Sequence, residues 1–160
     1  MSRYDEISTL ATRYSKQFHD HHSECRETAA RLILGYASYL ECPLEKIQQV
    51  ELDGKLLATS KTVSLSDRVK NVVDLDGFVH FAWRITLEQS SSRHAVQELV
   101  TFGLRIRGRS VIIRDETDFT LNADDDASWQ PLFFYLYDQS RIALKAEYGA
   151  ASRRIGFVSE

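Results

Sequence analysis

Two consecutive segments of the chain alternate apolar and polar side chains with opposite parity. In residues 78–89 the apolar side chains fall mainly at odd positions, and in residues 96–107 they fall mainly at even positions. A period of two predicts strands that bury one face. A turn at residues 90–94 then places Trp83 opposite Phe102, so that the apolar side chains of both strands share that face.

A third strand follows from a tight turn at Gly108 and Arg109. Glycine at the first central position is typical of a type II′ hairpin turn. This turn places Ile113 opposite Leu104, again on the buried face. Because three strands agree on one buried face, we predict an antiparallel sheet over residues 46–120.

The first 41 residues carry apolar side chains every three or four positions, with one gap of seven between Phe18 and Cys25. Because the stripe keeps its phase across this gap, we predict one helix over residues 3–41. Cys42-Pro43 ends it, since a residue before proline is pushed out of the helical region. The stripe contains Ile7, Ala11, Tyr14, Phe18, Cys25, Ala29, Leu32, Tyr36 and Leu40, with Leu10 and Ile33 beside it.

A second helix is predicted over residues 128–148, with Ser128 as its N-cap and Gly149 as its stop. The LFFYLY segment at 132–137 has aromatic side chains all round a helix, which is typical of core. The alternative is a helix that also covers a subunit interface. One face of this helix combines Leu132, Phe133, Leu136, Ala143 and Leu144.

The predicted fold is α+β, in a single domain over residues 1–160. It has a long N-terminal helix, an antiparallel meander of about five to six strands, and a C-terminal helix packed on one sheet face. A chain of 160 residues suits one hydrophobic core.

Charge and cysteine content narrow the class of protein. The formal net charge is −3, which argues against general nucleic-acid binding, because that relies on excess Lys and Arg. No apolar run reaches the roughly 18 residues of a membrane span, and no secretory signal opens the chain. Cys25 and Cys42 would lie roughly 25 Å apart on one helix, too far for a disulfide. Two unpaired thiols predict a cytoplasmic location.

The stretch QFHDHHSEC, residues 17–25, contains three of the five histidines. Zn²⁺ accepts His nitrogen and thiolate, usually four ligands at a time, but no second ligand pair has a suitable spacing. We therefore predict no metal and no cofactor. The favoured interpretation is a polar interruption in which His21 or His22 fills the missing stripe position. A hinge capped by Asp20 or Ser23 is the alternative.

The outer face of the sheet is the predicted binding surface. The derived register sets His80 opposite Arg105 and gathers basic side chains there, a group suited to an anionic ligand or an acidic partner. A tight turn at Asp76-Gly77 would add apolar residues to the same face, and a mixed basic and apolar patch indicates a contact. A merely solvated charged face is the alternative. The predicted ligand or partner residues are His80, Arg84, Arg105, Arg107, Arg114, Phe78 and Ile112.

Acidic side chains offer one further candidate. Asp124, Asp125 and Asp126 precede the second predicted helix, where negative charge is favourable. Asp115 points inward by register, where a buried carboxylate would need a partner. The favoured interpretation is a frayed or bulged strand at that point.

Two functional hypotheses follow, because no catalytic or phosphate-binding motif is present. The first is a non-enzymatic cytoplasmic binding protein of chaperone, immunity, inhibitor or accessory-subunit type. It would act on a protein partner or by self-association, through the outer sheet face or the long helix. The second is a small-molecule or anionic-ligand binder or enzyme with a pocket between sheet and helices.

Overall fold

The computed structural model describes residues 2–50, 72–73, 76–88, 94–146 and 155–159. Its first element is helix α1, Arg3–Tyr39, a single run of 37 residues that is roughly 55 Å long. The helix continues through the histidine cluster, so the hinge hypothesis at Asp20 or Ser23 is wrong. It ends two residues before the predicted boundary, because Glu41 adopts a left-handed backbone with φ 53° ahead of Pro43.

The described chain has seven strands: β1 (Ile47–Val50), β2 (Val72–Val73), β3 (Val79–Leu87), β4 (His94–Arg107), β5 (Ser110–Arg114), β6 (Asp118–Asn122) and β7 (Ile155–Ser159). They form one antiparallel sheet, in which five strands follow the order β1-β3-β4-β5-β6. The short strand β2 pairs with β3 beside β1, and β7 pairs with β4 beside β5. The consecutive strands β3 to β6 confirm the predicted meander, whereas β7 was not predicted.

The register between β3 and β4 differs from the predicted one by two residues. Trp83 pairs with Val100 rather than Phe102, and His80 pairs with Gly103 rather than Arg105. A Cβ atom at Gly103 would lie 3.1 Å from Cε1 of His80, so the histidine ring fits where it does because glycine is opposite. A shift of two keeps every side chain on its predicted face.

Of the predicted turns, the one at Gly108 is confirmed by the pairing of Ile113 with Leu104 and by a φ of 59° at the glycine. The prediction of a tight turn at Asp76-Gly77 is wrong, since Val73 of β2 pairs with Val79 of β3 and five residues join these two strands. Phe78 is buried on the outer face instead of entering the ladder. The Asp53-Gly54 pair and Leu75 lie outside the described residues.

The hydrophobic core lies between one sheet face and both helices, which confirms the predicted α+β architecture with the C-terminal helix on one face. The sheet contributes mainly odd positions of β3 and even positions of β4. Helix α1 contributes only residues from Cys25 onward. The largest buried side chains of this core are Trp83, Tyr36, Phe81, Leu32, Ile85, Leu104, Ile113 and Leu132.

Helix α2, Gln130–Lys145, begins after a 3₁₀ turn at Asp126–Trp129. The cap of that turn is Asp125, which accepts from the backbone N–H of Ala127 at 3.0 Å. Ser128 is therefore not the N-cap, because helical backbone begins two residues before it. Its hydroxyl accepts from the N–H of Asn122 instead. Gly149 lies outside the described residues.

The LFFYLY segment of α2 has one buried and one open side. Leu132, Phe133 and Leu136 are in the core, while Phe134 and Tyr137 are exposed. The predicted apolar face does not extend to Leu144, which is exposed, because no residue of α2 beyond Ser140 is buried.

Candidate interaction surface

The first half of α1, residues 3–20, stands away from the rest of the described chain. Every residue from Ser2 to Asp20 is exposed, and the first buried residue of the helix is Cys25. At 1.5 Å per residue this projecting half is roughly 27 Å long. Five large apolar side chains on it form what we call the exposed stripe, with 40% to 78% of their surface open: Tyr4, Ile7, Leu10, Tyr14 and Phe18.

The projecting half is helical for local reasons. Ser2 and Asp5 form a capping box, in which the Ser2 hydroxyl accepts from the Asp5 N–H at 3.1 Å and the Asp5 carboxylate accepts from the Ser2 N–H at 2.9 Å. These hydrogen bonds from Ser2 lower the pKa of the Asp5 carboxyl, which keeps negative charge at the helix N-terminus. The stripe is therefore presented on a defined helix although nothing in the described chain packs against it.

His21 marks the point where α1 joins the body of the protein. Its Nε2 lies 3.2 Å from the carbonyl oxygen of Gly77, and because a carbonyl only accepts, this nitrogen carries the proton. The same nitrogen is 3.6 Å from Sγ of Cys25. His21 thus occupies the stripe position that the sequence leaves without an apolar residue, and it anchors the helix to the turn before β3.

The histidine cluster does not gather metal ligands. Among the described residues no group of three or more His, Cys, Asp or Glu side chains is arranged to hold a metal ion. Burial raises the pKa of the Cys25 thiol to about 12, and the neutral thiol that results is a poor ligand and a poor nucleophile. His22 lies over the ring of Phe18, with ring centroids 6.0 Å apart.

His22 is expected to make the protein less stable in mild acid. Burial first, and then the positive charge of Arg26, lowers the pKa of His22. The unfolded chain therefore binds more protons at this site, so stability falls as the pH drops through about 6.5. In urea unfolding at pH 7.5 and pH 5.5, the His22→Ala variant should lose less stability on acidification than the wild type. Equal losses in both proteins would contradict this assignment.

The outer sheet face brings together part of the predicted basic group. The ring of Phe78 is fully buried and contacts two guanidinium groups, those of Arg105 and Arg114, which lie 4.7 and 4.0 Å from its centroid. Arg114 also contacts the carboxylate of Asp118 at 3.2 Å and that of Asp76 at 3.5 Å. Arg105 instead donates to the backbone carbonyl of Asp76 at 2.8 Å. The charge of Arg114 is therefore matched by acids, and Arg105 is held by the ring and a carbonyl of the same chain.

The other predicted residues of this face are more scattered. Arg84 donates to the side-chain oxygen of Gln48 at 3.3 Å, near the opposite end of β3 from Phe78. Arg107 is exposed at the end of β4, and Ile112 is half-buried opposite Arg105. His80 lies against Gly103. The structure therefore groups Phe78, His80, Arg105, Arg114 and Ile112, and separates Arg84 and Arg107 from them.

For a pocket between sheet and helices, the sequence offers His80, Arg84, Arg105 and Asp115 as polar groups, and these do not converge. The space beside Asp115, between the sheet and the helices, measures about 10 Å³, room for one water at most. Asp115 lies one residue past the end of β5 and accepts a hydrogen bond from the Tyr135 hydroxyl at 3.2 Å. His80 and Arg105 lie on the outer face of the sheet.

A shallow groove of about 410 Å³ runs between α1 and the start of α2. Arg31 crosses it, 2.9 Å from the carboxylate of Asp126 and 4.8 Å from the ring centroid of Trp129. The groove floor includes Gly35 of α1 and Phe133 of α2, and a Cβ atom at Gly35 would lie 2.8 Å from Cζ of Phe133. Its polar groups thus serve to join the two helices.

Two features of the structure were not predicted from the sequence. The first is that the stripe in residues 3–20 is exposed. The sequence does not indicate this, because the apolar residues have the same helical period in the packed and the projecting halves of α1. The second is Glu98, which is 2% exposed on the core face and accepts from the Ser140 hydroxyl at 2.5 Å. Glu98 occupies an even position of β4, and the even positions of this strand face the core, so the alternation of the sequence already indicated its burial.

No helix in the described ranges is long and apolar enough to cross a membrane. Comparison of the chain with protein-family models, curated proteins and solved structures found no match.

Proposed function

We propose that this protein is a non-enzymatic cytoplasmic binding protein that acts through protein–protein contact, and that the exposed stripe of α1 is its contact surface. The observation that carries the proposal is a row of five large apolar side chains left open on a capped helix. Large exposed apolar patches on soluble proteins mark interaction sites, and an amphipathic helix is a common recognition element.

Two further observations support the proposal. The thiols of Cys25 and Cys42 are both free, which suits a reducing compartment. Arg114 beside Phe78 is paired with Asp76 and Asp118, and Arg105 donates to the backbone carbonyl of Asp76 at 2.8 Å. Both arginines are therefore already engaged within the chain, whereas the stripe has no such contacts in the described residues.

Photo-crosslinking in the native cells tests the proposal. Benzoylphenylalanine replaces Tyr14 on the stripe or, as the matched control, Thr9 on the opposite side of the same helix. We expect a protein adduct of defined mass from position 14 and none from position 9. Absence of an adduct at both positions, or equal adducts at both, would overturn the proposal.

A further inference from the structure

The exposed stripe has the spacing of a coiled-coil seam. Tyr4, Ala11 and Phe18 are seven residues apart, as are Ile7 and Tyr14, which gives the two alternating core positions of a heptad pattern. The next members of the two series, His21 and Cys25, already contact the protein's own body. The seam therefore has a fixed usable length, from the helix N-terminus to about residue 20.

We infer that the occupant of this seam is a second copy of the same chain, paired antiparallel along residues 3–20; this inference rests on the proposed function. The free length sets the register, because the N-terminus of one helix can slide no further than the point where its partner enters the body. That register places Phe18 of one copy beside Ile7 of the other, and Ala11 beside Tyr14, so large and small side chains interdigitate.

Charge complementarity selects the antiparallel direction. In this register Arg3 of one copy flanks the seam beside Glu24 of the other, and the two-fold axis repeats the pair at the other end. Glu24 is exposed, and no ion pair joins it or Arg3 to another described residue. A parallel pair would set Arg3 beside Ser8 and would match no charges.

The flanks of the seam carry no charge that opposes self-pairing. Ser8, Ser15, Leu10 and Gln17 occupy the positions beside the core, where like charges would reject a second copy. The charged residues of the projecting half apart from Arg3, namely Asp5, Glu6, Arg13, Lys16 and Asp20, lie on the far side of the helix.

The area available matches a weak dimer. Five large side chains with 40% to 78% of their surface open offer on the order of 500 Å² of apolar surface per copy. Two copies then bury roughly 1,000 Å², the lower limit for a specific interface. We therefore expect a dimer that dissociates in the micromolar range.

Sedimentation equilibrium of the purified full chain across the micromolar range tests the inference. We expect the wild type to dimerise, and Ile7→Ser with Leu10→Ser to be monomeric throughout. The matched control is Leu34→Ser with Ile142→Ser, two exposed apolar residues off the stripe, which should dimerise like the wild type. Circular dichroism should show equal helix content in all three proteins at the concentrations where the wild type dimerises.

Charge reversal tests the direction of pairing. Arg3→Glu alone and Glu24→Arg alone should each weaken the dimer by about five-fold, because each breaks two exposed ion pairs. The double variant with both changes should recover the wild-type constant, since the pairs form again with reversed sign. Single variants without effect, or a double variant as weak as the singles, would overturn the antiparallel arrangement.

The failures of the two proposals are distinguishable. A wild type that stays monomeric, or a dimer indifferent to Ile7→Ser with Leu10→Ser, would overturn self-pairing. If position 14 still crosslinks to a different protein in cells, the stripe binds that protein and the proposed function stands without the self-pairing. If position 14 gives no adduct, the proposed function itself falls.

Discussion

Replacing Trp83 by alanine is expected to destabilise the protein by about 3–5 kcal/mol. The indole is 1% exposed at the centre of β3 and meets the ring of Phe102 edge to face, with centroids 4.8 Å apart at 74°. Alanine leaves a cavity that β3 and α1 cannot fill without moving. Since domains of this kind have total stabilities of about 5–15 kcal/mol, urea unfolding should show a much lower midpoint.

Trp83→Phe is the matched control. It keeps an aromatic ring against Phe102 and removes the indole N–H, which has no hydrogen-bond partner among the described residues. We expect it to lose less than half of what alanine loses, because no satisfied polar contact is broken. Equal losses for the two variants would contradict the assignment of the destabilisation to ring packing against Phe102.

Replacing Gly35 by valine is expected to destabilise the protein by about 1–3 kcal/mol. A Cβ atom there would lie 2.8 Å from Cζ of Phe133, so α1 and α2 would have to separate. The Phe133 ring cannot swing aside easily, because Tyr36 and Tyr39 pack on it with centroids 5.9 and 6.0 Å away. Thermal unfolding followed by circular dichroism measures the loss.

Two variants isolate the clash at Gly35. Leu34→Val changes the exposed neighbour on the same helix and should cost less than about 0.5 kcal/mol, mostly helix propensity. Adding Phe133→Leu to Gly35→Val removes the ring tip, so the two changes together should cost less than their sum. Strict additivity would mean that the two positions do not collide.

The sheet was largely predictable, because its signals are local. The parity of β3 and β4 determines which side chains face the core, and the turn at Gly108 fixes the register of β5 without reference to the rest of the chain. The β3–β4 register was missed by two residues because it depends on the fit of His80 against Gly103 across the sheet. A shift of two leaves parity unchanged, so the predicted buried face survived the error.

The candidate site was less predictable, because it depends on contacts between side chains that are distant in the sequence. Clustering of Arg105 and Arg114 on one face followed from parity, but the stacking of both on Phe78 and the pairing of Arg114 with Asp76 and Asp118 did not. Asp76 and Phe78 belong to the five-residue connection before β3, and Asp118 is the first residue of β6. These contacts mean that the two arginines are not a free basic patch, because both are already engaged by groups of the same chain.

By itself the sequence determined the helix, its stripe and the alternation of the strands, because these follow from the order of side chains along the backbone. Ile7 and Leu32 occupy the same stripe and are equally apolar. Yet Leu32 is 1% exposed and Ile7 is 67% exposed. Only the tertiary structure decided this difference, since burial depends on where the rest of the protein meets α1. His21 contacts the carbonyl oxygen of Gly77 in the turn before β3, whereas every residue from Ser2 to Asp20 is exposed.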